Sequence, residues 1–446
     1  MKIQSKKEPI VLLLGDIIAF FIALWVMLLI RYQTIPEQEF FLNHVIPFSV
    51  LFSVWVLSFF VAGLYEKHTL VVKQNLPQII LNVQTVNIII AVLFFYFVPY
   101  FGITPKTNLF LYLIISWGLV FLWRVIIVPR IISKKKHNAL LIATGQEMQE
   151  LYEEINQNNR YPLSFVKVVD LSLVQNIDFE KDIESLIREH EIAVVVVDLN
   201  NPKITPVLQN LYSLIFLKVQ CIDMYKIYED IFDREPLSLL NYSWFIENIS
   251  LARKTIYDGV KRIVDIVCAT LFFIPSLALY PFVFLAIKLE DGGPLFIVQE
   301  RVGERGKKIK LIKLRSMNTN DRGVWVKEKD DRITRVGKIL RKTRIDETPQ
   351  LLNVIKGDLS LVGPRPDIYD NAVFLEKEIP YYSIRTLVKP GLSGWAQIMQ
   401  KLPPQSLEET KIRLVYDLYY VKNHSFMLDL KIMLRTAQVL LSRTGK

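Results

Sequence analysis

The sequence predicts a membrane α protein that continues into α/β structure. It has a four-helix transmembrane bundle, a Rossmann-like parallel α/β middle domain, and a small, mostly helical last domain with a re-entrant membrane helix. Three observations predict this. Four apolar stretches fill the first 130 or so residues. Strand-like apolar runs then alternate with an amphipathic helical pattern. The last section is basic and dense in proline and glycine turns, and it opens with a fifth apolar stretch broken by Pro275. The expected boundaries are 1–132, 133–250 and 251–446.

The four stretches run Ile10–Ile30, Val45–Leu64, Ile79–Val98 and Leu109–Val128. Each has about 20 residues, the length that crosses the hydrocarbon core of a bilayer. The 51% hydrophobic content and mean hydropathy of +0.28 are high for a soluble chain. The first stretch is too long for a cleaved signal peptide and lacks a small-residue cleavage site. Asp16 is its one acid, placed near an end where a carboxylate is expected to snorkel.

Charge sets the orientation. Lys2, Lys6 and Lys7 precede the first span, and Lys67 and Lys73 lie between the second and third. Arg130, Lys134, Lys135 and Lys136 follow the fourth. The other two loops, "QTIPEQEF" and "YFGITPKTN", hold a single lysine. The positive-inside rule then puts the N-terminus and everything after Arg130 in the cytoplasm. The net charge of +10 is read as attraction to anionic lipid or substrate; no nucleic-acid partner is expected. Cys221 and Cys268 form no CxxC pair, which excludes a disulfide framework and a thiolate zinc site.

In the middle section, "NALLIATG" reads as a buried strand and turn, "QEMQELYEEINQN" as an amphipathic helix, and "IAVVVVDL" as a second buried strand. A dinucleotide site would need G-x-G-x-x-G after the first strand. Only Gly145 is present, and Glu147 and Glu150 stand where a pyrophosphate would approach. A Rossmann-like layer without a nucleotide is therefore expected.

The fifth stretch, Ile263–Ile287, is long enough to span. Pro275 and Pro281 each remove a helix donor. Lys261 and Arg262 flank one end and a basic run follows the other, so both ends favour the cytoplasm. A helix over about 261–288 that enters the inner leaflet, breaks at Pro275 and returns satisfies all of this.

The last section holds an acidic pair, Asp346 and Glu347, inside the basic run "RKTRIDETPQLLNVIKG". A helix start accounts for acids beside a proline. So does a site in which cations hold a phosphate and a carboxylate attacks it. "KRIVDIVCA", "GGPLFIVQERVGERGKKIKLIKLRSM", "DRITRVGKILRKTRIDETPQLLNVIKGDLSLVGPRP", "KPGLSGWAQI" and "YDLYYVKNHSFMLDLKI" follow one another in this section. In content and order they resemble the bacterial polyprenyl-phosphate sugar-1-phosphate transferases, also called polyprenyl glycosylphosphotransferases, in their long form. The resemblance implies a multi-pass enzyme of the bacterial inner membrane with its catalytic domain facing the cytoplasm. It implies transfer of a sugar phosphate from a UDP-sugar to undecaprenyl phosphate with Mg2+, opening exopolysaccharide, capsule or O-antigen synthesis. Homo-oligomerisation is left open.

The residue types suit that chemistry. Arginine forks bind phosphate through two oxygens at once. Arg341 precedes the pair, Arg365 is set between Pro364 and Pro366, and Lys313 and Arg315 add a cationic strip. Asp346 is the expected nucleophile, at the start of a helix closing at Gly357. Glu347 is the expected magnesium ligand, because a hard cation needs oxygen donors. Thr348 stands where the family's "DELPQ" run has leucine. Met399, Gln400 and Lys401 depart from its usual continuation after "GWAQI". The alternative is a non-catalytic membrane scaffold or sensor built on the Rossmann-like domain, which would need neither acid.

Overall fold

The computed structural model describes residues 8–65, 76–98, 105–128, 130, 136–158, 161–175, 177–249, 255–317, 333–400 and 403–441. Lys2, Lys6, Lys7, Lys67, Lys73, Lys134 and Lys135, used above for orientation, lie outside these residues, as does Lys401. The chain forms two compact units, 1–227 and 228–446.

In the first unit, α1 (Glu8–Tyr32), α2 (Gln38–Val61), α3 (Leu76–Phe97) and α4 (Pro105–Phe121) form the bundle, with α4 continued by a π turn over Leu122–Ile127. Among the described residues, these four helices are each long and apolar enough to cross a membrane. Each packs on the next, and α4 returns to α1. Phe20, Phe48, Phe52, Trp55 and Tyr112 fill the centre. The second span begins seven residues before its expected start, because α2 runs through Pro47. Gly15 lets α1 meet α4: a Cβ there would lie 1.9 Å from the Trp123 ring. Asp16 does not snorkel. It is fully buried, and Arg124 Nε donates to its Oδ1 at 3.0 Å while Arg124 Nη1 donates to the Leu64 carbonyl at 2.6 Å. A carboxylate with a buried guanidinium partner has no need to reach for the headgroups.

The same unit holds a four-stranded parallel sheet. Its strands are β1 (His137–Ala143), β2 (Leu163–Asp170), β3 (Val194–Val197) and β4 (Gln220–Asp223), in the order β2-β1-β3-β4. The first expected strand and its helix α5 (Gln146–Gln157) are present, and β3 falls inside "IAVVVVDL". Shorter helices α6 (Ser185–Glu189) and α7 (Leu208–Ser213) follow, and α8 (Met224–Phe232) crosses the boundary between the units. Gly145 caps α5 at φ +90°, a conformation that favours glycine. Asp170, Asp198 and Asp223 end or follow β2, β3 and β4, and Glu147 lies in the first turn of α5.

The second unit begins at Tyr228, upstream of the boundary expected at 251. Ahead of the apolar helices, α9 (Tyr242–Asn248) packs Phe245 on Tyr381, and Asp233 accepts from the Trp395 indole through its carbonyl at 2.9 Å. Glu235 is buried here with neither carboxylate oxygen hydrogen-bonded, 3.6 Å from Lys422 Nζ. Burial pushes its carboxyl up to about 7, against the pull of Lys422.

The fifth apolar stretch forms α10 (Thr255–Leu277) and α11 (Tyr280–Glu290), bent by 54°. The break is not at Pro275, which lies in the last turn of α10. It falls at Ala278–Leu279, where their amides bond back to Pro275 and Ser276. Pro275 has no amide to offer Leu271, but so near the helix end the loss is one bond, and Pro281 opens α11. Ile256, Val260, Ile263, Val267, Leu271 and Ile274 form an exposed stripe along α10.

Both ends of this bent pair are tied to the rest of the unit. Lys261 donates to the Val362 carbonyl at 2.9 Å and to Asp429 at 2.6 Å. Arg262 donates to the Val354 and Ile355 carbonyls, each at 2.6 Å, and Asp265 accepts from Leu361 N at 2.9 Å. At the far end, Glu290 accepts from the backbone amides of Arg335 and Val336.

The rest of the unit is mostly helical, with two small sheets not foreseen from the sequence. An antiparallel hairpin pairs β5 (Phe296–Val302) with β6 (Lys308–Leu314). Then come α12 (Arg335–Thr343), a 3₁₀ turn over Ile345–Glu347, and α13 (Gln350–Lys356). Next, β7 (Ser360–Val362) pairs in parallel with β8 (Gly391–Ser393), with α14 (Tyr369–Glu378) between them. Last are α15 (Trp395–Met399), α16 (Leu407–Asn423) and α17 (Phe426–Leu441).

Candidate active site

Asp346 and Glu347 do not open a helix. They sit in the 3₁₀ turn between α12 and α13. Arg344 ends α12 in the left-handed region at φ 58° and turns the chain. Pro349 has no amide to bond back to the Ile345 carbonyl. That carbonyl is met instead by the Thr348 amide at 3.1 Å and the Thr348 hydroxyl at 2.8 Å. The expected helix therefore starts at Gln350, and it closes at Gly357 as expected.

Glu347 is gripped by cations. Its Oε1 accepts from Arg365 Nη2 at 2.6 Å and lies 3.6 Å from Lys313 Nζ; Arg344 Nη1 lies 3.7 Å from its Oε2. Burial alone would raise its carboxyl, but these three charges together hold it well below the usual range. Asp346 is different. It is 7% exposed, and its Oδ1 is buried with no hydrogen-bond partner. Burial and the neighbouring Glu347 charge raise its carboxyl, opposed by Lys313, Arg341 and Arg344. The pair thus holds one firmly ionised acid and one with an oxygen left free for a ligand.

The arginine of the "GPRP" turn is itself clamped. Its backbone carbonyl accepts from Arg385 Nη2 and Arg413 Nη2, each at 2.8 Å. Asp367, two residues on, accepts from Tyr382 Oη at 2.6 Å and from Arg385, and lies 3.1 Å from Arg413. Burial raises the Asp367 carboxyl, but the arginines win and bring it to about 2. Asp417 lies 2.7 Å from Arg385, so the two arginines and two aspartates of this clamp offset one another. None of these four was foreseen.

The structure brings Asp346, Glu347, Lys313, Arg341 and Arg365 together. Arg341, in the last turn of α12, acts on Asp346 through its charge. It does not bring Arg315, which is buried and paired with Asp291. Strand β6 ends at Leu314, and the chain turns Arg315 toward the end of α11.

Arg301 was missed. It donates to the Pro366 carbonyl at 3.2 Å and to Gln299 at 2.8 Å, and its Nε is buried without a partner. Burial and the Arg365 charge lower it to about 10. The signal is strand period: Ile297 pairs with Lys313, so Arg301, four residues on, shares the face of Lys313. Burial, with Glu347 opposing and Arg365 and Arg301 adding, lowers Lys313 to about 8. Arg301, Lys313, Arg341, Arg344 and Arg365 outnumber Asp346 and Glu347, so this turn is built for an anion.

Among the described residues, no set of three His, Cys, Asp or Glu side chains is placed to hold a metal alone. Glu347 Oε2, which meets Arg344 only at 3.7 Å, fits a hard cation that draws its remaining ligands from a bound phosphate.

The site thus sets a buried, unpartnered carboxylate oxygen among an excess of cations, in a unit that also carries the bent apolar helix pair. The family profile described as "Bacterial sugar transferase" matches residues 256–443. A UDP-glucose:undecaprenyl-phosphate glucose-1-phosphate transferase of Caulobacter vibrioides is 42% identical over 192 residues, 42% of this chain and 71% of that protein. A UDP-N-acetylgalactosamine-undecaprenyl-phosphate N-acetylgalactosaminephosphotransferase of Aeromonas hydrophila is 40% identical over 203 residues, 44% of this chain. The match spans 47% of the Aeromonas protein, under half its length. The chain belongs to the bacterial sugar transferase family.

Proposed function

We propose that this chain transfers a sugar-1-phosphate from a UDP-sugar to undecaprenyl phosphate at the cytoplasmic face of the bacterial inner membrane. An Asp346 oxygen bonds to the phosphorus that carries the sugar. The diphosphate P–O bond breaks, and its electron pair leaves with UMP. An oxygen of undecaprenyl phosphate then attacks the same phosphorus, and the Asp346 carboxylate leaves. The products are undecaprenyl-diphosphate sugar and regenerated enzyme, the opening of an exopolysaccharide, capsule or O-antigen unit.

The observation that carries this reading is the buried, unpartnered Asp346 oxygen set among cations that outnumber the acids. Splitting one transfer into two in-line steps is what a fixed carboxylate offers. Arg365 and Lys313 hold Glu347 and the diphosphate in register, and Arg301 adds a second guanidinium behind Arg365. Glu347 would hold Mg2+ with substrate phosphate oxygens, and the ion would draw negative charge from the phosphate under attack.

The bent pair α10–α11 is proposed to be re-entrant. Lys261, Arg262 and Asp265 near one end and Glu290 at the other all bond within one unit. A full span would part its two ends by about 30 Å of hydrocarbon. Among the described residues, nothing in the middle sheet favours the scaffold or sensor alternative. The test is UMP release from a panel of UDP-sugars by the purified chain with undecaprenyl phosphate and Mg2+. Release from none of them, by folded protein, defeats the proposal.

A further inference from the structure

Tyr280 is the first residue of α11, immediately past the break in the apolar pair. Its hydroxyl lies 3.2 Å from the Thr348 hydroxyl. The hydrogen of Thr348 is already engaged, because Oγ1 donates to the Ile345 carbonyl at 2.8 Å. A threonine hydroxyl has one hydrogen and two acceptor sites, so Tyr280 must be the donor. The result is a relay from Tyr280 Oη to Thr348 Oγ1 to the Ile345 carbonyl. Its last link closes the 3₁₀ turn that carries Asp346 and Glu347.

The relay is specific to this chain's own residues. Pro349 leaves the Ile345 carbonyl short of a helical donor, and Thr348 supplies it. The leucine usual at this place in the family could neither donate nor accept. Packing holds Tyr280 in place. Its ring stands edge-on to Phe296 and lies against the cluster of Val283, Ile287, Leu314 and Leu340, which Ile345 also joins.

We infer that Tyr280 and Thr348 are positioning residues that seat the Asp346–Glu347 turn on the elbow of the apolar helix pair. Neither touches a reacting atom. Their hydrogen bond fixes the turn, and the turn fixes the angle at which Asp346 faces a bound phosphate. This deepens the transferase reading and rests on it for the kinetic arm alone.

The test uses the full chain in lipid nanodiscs with Tyr280→Phe, Thr348→Val and Thr348→Ser. Hydrogen–deuterium exchange over 345–351 should run about three- to tenfold faster in Tyr280→Phe and Thr348→Val, the range open to a neutral hydrogen bond. Thr348→Ser keeps the hydroxyl and should exchange as the parent does. In UMP release, the first two variants should lose about three- to tenfold in kcat with KM for the donor little changed, as expected where only the reacting geometry is lost. Combining them should add nothing to Thr348→Val alone, which already removes both links of the relay.

Parental exchange in Tyr280→Phe, or fast exchange in Thr348→Ser, overturns the relay. Faster exchange with parental kcat overturns the positioning role. Should the parent release no UMP at all, the transferase reading fails, and the exchange arm still decides whether the relay exists.

Discussion

Arg365 Nη2 lies 2.6 Å from Glu347 Oε1, and the Arg365 carbonyl is held at 2.8 Å by both Arg385 and Arg413. The acid next to Asp346 is therefore fixed from behind by two layers of guanidinium. Arg385 contributes through its hold on half-buried Asp367 and on fully buried Asp417. A fixed charge array of this kind costs nothing to reorganise when a phosphate reacts.

Asp346→Asn should abolish UMP release, by at least about 10²–10³-fold, without unfolding the chain, because an amide cannot attack phosphorus as a carboxylate does. Glu347→Gln should lose a similar factor, through its grip on Arg365 and the proposed metal. Release should be followed beside the melting profile of each variant. Near-parental release by a folded Asp346→Asn chain would rule out the covalent route.

Glu235 gives a pH dependence of stability. Its folded carboxyl, at about 7, stands above its unfolded value near 4.5. A raised acid binds more protons folded than unfolded, so its contribution is present at low pH and is lost as pH rises through about 7. From pH 6 to pH 8 the loss should be about 1 kcal/mol. Glu235→Gln should flatten the fall in melting temperature across this range. An equal slope in parent and variant would assign the proton elsewhere.

Arg124→Leu should cost about 3–5 kcal/mol, because it strips Asp16 of its guanidinium partner inside the bundle. Asp16→Asn on top of it should recover most of that loss, since an amide needs no counter-charge. Thermal unfolding in detergent reads both. A double variant no more stable than Arg124→Leu would mean the pair is not the interaction being lost.

The re-entrant proposal is read by single cysteines at Asp258 and Lys338, both exposed, in a chain lacking Cys221 and Cys268. In intact cells a membrane-impermeant thiol reagent should label neither. Labelling at Lys338 alone would mean that α10–α11 crosses the bilayer.

The spans were legible because runs of about 20 apolar residues carry their own signal. Strands β1 and β3 were legible as buried apolar runs, whereas β2 breaks its run with Ser164 and Lys167, and β4 is polar at both ends, Gln220 and Asp223. The acid pair stood out by residue type. Arg315 was misjudged because it lies two residues from Lys313, the spacing of one strand face, and only the structure shows that β6 stops at Leu314. Arg301 sits beside the exposed Glu300 and reads as surface until the register with β6 turns it inward. The helix starts at Gln350 and not at Asp346 because Pro349 withholds the amide that an α-turn from Ile345 would need, and residue type alone does not tell an α start from a 3₁₀ turn.

The apolar helix α10 is not a tether on which a soluble enzyme hangs. Lys261, Arg262 and Asp265 supply hydrogen bonds that the backbone of α13 and β7 would otherwise lack, and Ala269 is buried in the same core as Leu351 and Val354. Clipping it away would strip the Ile355 carbonyl at the end of α13 and the Leu361 amide of β7 of these partners, in a core missing one wall. An attempt to make the protein crystallise as a water-soluble fragment by removing its greasiest segment would thus remove part of its scaffold. Anchor and catalyst have to be purified as one piece.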